Sequence, residues 1–231
     1  MIWQLASASN KHGLFVVGGQ DGSNKFNGHL EFLPNLHSST FIKKAKVPLP
    51  NKIEGLSGAC MVSIDENTLF LVGGYLSGYE VTSKTWKYNI KKDAWYSSVP
   101  MKQPRAHHAC SLIRDKNSDR TKVIVVGGSI EDGSSTNSVE IYDPGRNEWT
   151  NGTPFPTSIM YSQMVEDEIQ GGVLLVGGRT TTSTGSIKRT SDIYHLPNTF
   201  KKWKKLGQTI ELGRESHVAL MLPDDINHCY N

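Results

Sequence analysis

The stretch VIVVGGSIEDG, Val123 to Gly133, drives four β-branched residues straight into paired glycines. β-Branched side chains favour extended backbone, and glycine in a strand interior weakens it. The strand must therefore end sharply where the glycines begin. The same arrangement recurs as LFVVGGQDG from Leu14, LFLVGGYLSG from Leu69 and VLLVGGRTTT from Val173. The first glycines (Gly18, Gly73, Gly127, Gly177) stand 55, 54 and 50 residues apart, each followed by its partner (Gly19, Gly74, Gly128, Gly178). A period near 50 is the mark of a repeat architecture.

Aromatic residues keep the same beat. Tyr88 and Trp95 lie 14 and 21 residues after Gly74, and Tyr142 and Trp149 lie 14 and 21 after Gly128. Tyr194 and Trp203 follow Gly178 at 16 and 25, and Phe32 and Phe41 follow Gly19 at 13 and 22. In the third unit AHHACSLI, KVIVV, SVEIYDP and EWT read as four short strands, with turn residues in DKNSD, EDGSS and DPGRN between them. Four antiparallel strands per unit of about 50 residues make a propeller blade. The predicted fold is all-β, one domain over 1–231, with blades at about 1–50, 51–103, 104–156 and 157–212. A fifth first strand, GRESHVALML, opens the segment 213–231, so the chain reads as most of a propeller whose ring is not closed. The glycines are expected to clear space for an aromatic ring of the same or the next blade.

Composition agrees with many short strands: 22 glycines and 10 prolines accompany 37% apolar residues. A net charge of +3 on 231 residues implies neither a nucleic-acid nor a membrane partner. Cys60 and Cys110 follow Ala59 and Ala109 in matching places of two repeats and read as buried thiols of the core. Cys229 stands near the end, and the cysteine count favours a reducing, cytoplasmic compartment slightly.

The diglycine after an apolar strand, the Tyr-Asp or Tyr-Asn doublet, the tryptophan seven residues on and the Pro-Arg of QPRAHHA resemble the kelch repeat over essentially the whole chain. The resemblance implies a non-catalytic module that binds a partner protein or peptide through the loops of one propeller face. It is compatible with the recognition part of a cullin-type ubiquitin ligase adaptor and with an actin-associated scaffold. It also implies that arginines of the Pro-Arg position and polar residues just after the diglycine contact the partner. In this chain those are Arg105, Arg214 and Arg179, with Ser158 at the arginine position of unit four, and Gln20, Asp21, Tyr75, Ser129, Glu131 and Asp132 in the loops. Arginine suits an acidic partner, because its planar fork engages a carboxylate in two parallel bonds.

No catalytic constellation stands out. His108 and His217 hold one repeat position, with Tyr161 read as its counterpart in unit four, which favours packing over metal ligation. Kelch-like propellers also occur in copper-radical oxidases resembling galactose oxidase, but the cysteines here sit in apolar strand-like runs. The sequence therefore assigns no catalytic residue, no metal ligand and no cofactor.

Overall fold

The computed structural model describes residues 2–35, 37–50, 53–77, 79–181 and 185–219. They form four four-stranded antiparallel sheets, each running outward from a first strand that lines a central channel. The first strands are Ile2–Asn10, Cys60–Asp65, Ala109–Asp115 and Gln163–Glu166. Blade 4 packs on blade 3, and the segment 213–219 takes the next first-strand place. No strand pairing joins blade 4 to blade 1 among the described residues. Cys229 and the rest of 220–231 lie outside the described residues.

Alternation along the second strands decides what holds blade to blade. One face of blade 2 offers Phe70 and Val72, and the facing side of blade 3 offers Val123, Val125, Tyr142 and Trp149. Phe70 stacks on Tyr142 with ring centroids 4.5 Å apart. Three tryptophans, one in each of blades 2 to 4, also donate the indole N–H to the chain of the preceding blade: Trp95 to Ala45 O (2.9 Å), Trp149 to Val99 O (3.0 Å) and Trp203 to Thr153 O (3.0 Å). A buried indole thus meets both its apolar and its polar demand at one interface.

Three sequence expectations need correction. First, the rings that approach the diglycines are not those of the repeated Tyr and Trp but imidazoles, His108 at Gly73 and His217 at Gly177. All eight glycines have positive φ, as a sharp strand exit requires. At the first glycine of three pairs the place of the missing Cβ is taken by a main-chain carbonyl of the next blade: a Cβ on Gly73 would stand 2.5 Å from Arg105 O, and on Gly18 2.6 Å from Leu56 O. The second glycine uses that approach, for Gly74 N donates to Arg105 O (2.9 Å) and Gly128 N to Ile159 O (2.8 Å).

Second, Cys60 and Cys110 are joined in a disulfide, with Cα atoms 6.1 Å apart. They are not register equivalents. Cys60 pairs with Val72, one residue before its diglycine, whereas Cys110 pairs with Val125, two before. That single step puts the cysteines on opposite faces of their blades, so they point at each other across the interface.

Third, Tyr194 is not the counterpart of Tyr88 and Tyr142. Those tyrosines oppose Leu69 and Val123, and the residue opposing the matching Val173 is Leu196. Tyr88 and Tyr142 are fully buried, Leu196 likewise, and Tyr194 is half-buried beside Phe155.

Candidate functional site

The strongest assembly of side chains surrounds one mouth of the channel, on the face that carries the loops after the diglycines. Each blade is led in by a residue in the left-handed region: Gln4, Gly58, His107, Tyr161 and Ser216, with φ of 61°, 61°, 55°, 58° and 53°. Their main chains form a belt that crosses every blade boundary. Gly58 N donates to Gln4 O (2.8 Å), His107 N to Gly58 O (2.7 Å), Tyr161 N to His107 O (2.8 Å) and Ser216 N to Tyr161 O (3.1 Å). The belt fixes Tyr161 as the counterpart of His107. Ser162, against Gly178, is the counterpart of His108, against Gly128.

Residues just after the diglycines turn back onto their own blade. Tyr75 pairs with Ser57 and Arg179 with Met160, and Ser129 bridges Ala106. A ladder of rings and one cation results. Tyr75 lies 5.1 Å from His107, His107 lies 4.3 Å from Tyr161, and the Arg179 guanidinium sits 4.7 Å above the Tyr161 ring. Arg179 also pairs with Glu215 at 3.6 Å, and Arg189 reaches the same carboxylate at 3.0 Å. Burial and then Arg179 push the pKa of His107 down to about 4, so the ladder carries a neutral imidazole at pH 7. Behind the mouth the channel holds about 930 Å³, its wall rich in hydroxyls such as Ser7, Ser63, Ser111 and Ser162.

The predicted partner-binding residues part into two groups. Arg105 is fully buried and cannot meet a partner. Its guanidinium donates to Gly127 O (2.7 Å), Ser138 O (3.1 Å), Ser138 Oγ (2.8 Å) and Glu140 Oε1 (2.8 Å). Glu140 in turn accepts the amides of Lys102 (2.7 Å) and Gln103 (3.1 Å), so the pair ties blade 3 to the linker that enters it. Gln20 and Ser129 are also buried, held by Asn24 and Tyr79 and by the Tyr75 hydroxyl (2.8 Å). Ser158 is not the arginine's counterpart. Ile159 is, since its carbonyl takes the Gly128 amide as Arg105 O takes that of Gly74.

The accessible residues are Asp21, Tyr75, Glu131, Asp132, Ser158, Arg179 and Arg214. Asp21 folds its own loop, accepting the Ser23 hydroxyl (2.7 Å) and then the amides of Lys25 (3.0 Å) and Ser23 (2.9 Å), which hold its carboxyl below the usual range. His107 and Tyr161 escaped the sequence reading as site residues. Their signal was a large side chain at the lead-in position, where the backbone turns left-handed. Among the described residues no three His, Cys, Asp or Glu side chains gather as metal ligands.

A family model described as the attractin/LZTR1 beta-propeller matches residues 14–227. Beta-scruin of Limulus polyphemus is 29% identical over 151 residues, which cover 64% of this chain and 15% of that protein. Kelch-like protein 40 of Xenopus tropicalis is 27% identical over 161 residues, covering 68% of this chain and 24% of its own length. This chain thus spans under a quarter of the length of either relative. The solved structure of YjhT shares the fold at a TM-score of 0.72 and 15% identity, over 92% of this chain and 72% of that one.

Proposed function

This chain belongs to the attractin/LZTR1 β-propeller family, a kelch-repeat fold, and on that premise we propose that it is a non-catalytic module binding a protein or peptide at the mouth of its channel. The observation that carries the reading is the Tyr75–His107–Tyr161–Arg179 ladder, which spans three blades on one face. Aromatic and arginine side chains held rigid by their neighbours make good anchors, because little rotamer freedom is left to lose on binding.

Charge orients the partner. Lys188, Arg189 and Arg214 are exposed around blade 4, while Glu131 and Asp132 are exposed on blade 3. An acidic segment lies over blade 4, with its flank away from the blade 3 carboxylates. Likeness to kelch-like proteins supports the adaptor form of this reading, in which the face selects a substrate for a ligase.

A displayed library of random peptides, selected on the purified chain, tests the proposal. Enriched peptides should carry Asp or Glu, and Tyr161→Ala or Arg189→Glu should each weaken their binding about tenfold or more. Failure to enrich any sequence, or binding indifferent to both changes, sinks it.

A further inference from the structure

The Cys60–Cys110 bond is a covalent cross-link between blades 2 and 3 in addition to the chain that runs from one into the other, and it borders the channel. We propose that this pair is a thiol-exchange site, opened and closed by small dithiols from the channel, whose state sets how firmly blades 2 and 3 are locked together.

The neighbouring interfaces show what the same place looks like without a bond. By register, Ala6 and Ala109 are the counterparts of Cys60, while Met61 and Met164 are those of Cys110. Ala6 packs in one core cluster with Met61, and Ala109 in another with Met164. At this place both interfaces meet through apolar contact and no covalent bond. The disulfide is therefore an addition to a joint that the fold already knows how to make, and two thiols, which pack as small apolar groups, leave that joint intact.

Access is one-sided. Cys110 is only 7% exposed, while Cys60 is half-buried on a channel wall wet enough to admit a small reagent. A dithiol thiolate attacks Cys60 Sγ, the S–S bond breaks, and Cys110 leaves as a thiolate that takes up a proton. The reagent's second thiol then displaces Cys60 as a thiol and the reagent departs as its own disulfide. Two electrons pass from reagent to protein, and air or a disulfide oxidant reverses them.

The consequence reaches the channel mouth through short chain. Cys60 is two residues from Gly58 and Cys110 three from His107, the pair joined by the 2.7 Å belt bond. Reduction leaves the two blades tied at this end by that bond and by the Gly74 N–Arg105 O and Tyr75 hydroxyl–Ser129 bonds beside it, so His107 should exchange its amide proton faster. The site needs no partner and stands or falls apart from the docking face.

The test uses the full chain purified in air. Dithiothreitol on the folded protein should raise the alkylatable thiols by two, reversibly, and lower Tm by about 5–10 °C, the size expected when a loop of this length loses its cross-link. The His107 amide should exchange about tenfold faster. The variant Cys60→Ala with Cys110→Met, which copies the neighbouring joints, should sit near the reduced Tm and ignore the reductant. Free Cys60 and Cys110 thiols in the air-purified protein would overturn the proposal. So would a bond that yields only after unfolding, or one whose reduction leaves both Tm and the His107 amide unchanged.

Discussion

Arg105 and Arg214 occupy one repeat position, each offering its carbonyl to the diglycine of the blade before, yet their side chains meet opposite ends. Arg105 is sealed inside blade 3, where Gly127, Ser138 and Glu140 of its own second and third strands take up its donors. Arg214 is exposed, its Nε donating to Leu212 O (3.2 Å). The same place in blade 2 holds Leu56 with Trp86, and in blade 4 Ile159 with Tyr194. One position thus accepts an apolar pair or a buried ion pair. An arginine there is a fastener, and it faces a partner only where its blade does not close over it.

The contrast breaks most plainly at the arginines themselves. Arg105→Ala strips a buried carboxylate of its cation and should cost about 3–5 kcal/mol in denaturant unfolding. Arg214→Ala should stay within about 0.5 kcal/mol; equal losses at the two sites would refute the comparison. A second test moves to the blade faces. Ile124 is fully buried between blades 3 and 4, and its counterpart Leu174 is half-exposed on the open side of blade 4. Truncation to Ala should cost about 3 kcal/mol at Ile124 but about 1 kcal/mol or less at Leu174.

The third uses pH. Burial, with Arg105 and His107 adding to it, pushes His108 down to about 3, so the folded protein refuses a proton that the unfolded chain accepts near 6.5. Stability is then full above pH 6.5 and falls as pH drops toward 3, by about 2 kcal/mol at pH 5 for this residue. His108→Gln should lessen the slope of thermal scans between pH 7 and 5 without abolishing it, since His107, pushed down to about 4, adds a share of its own, and an unchanged slope would remove His108 as a source.

What the sequence discloses follows from how local each signal is. Paired glycines after an apolar run report their own backbone, and all eight adopt the positive φ that a sharp exit demands. Tyr88 and Tyr142 keep one spacing because their hairpins match. The spacing misleads in blade 4, where a longer loop moves the buried position to Leu196, 18 residues after Gly178 instead of 14. The doublets mislead in the same silent manner: Cys60 stands two residues after Gly58 but Cys110 three after His107, so two Ala-Cys pairs that look equivalent face opposite ways. The fate of Arg105 depended on Glu140, 35 residues on, and no property of Pro-Arg announces such a neighbour. Of the ladder, Tyr75 and Arg179 could be picked out as residues just after a diglycine, whereas the His107–Tyr161 stack needed the belt to be seen.

The tryptophan bonds run one way only: Trp95, Trp149 and Trp203 each clasp the chain laid down 50 residues earlier. A wheel fastened backward in this manner can be assembled in the order of synthesis, each new sector finding a finished surface to grip. Ribosomal pauses would leave shorter wheels, each already clamped up to its newest spoke.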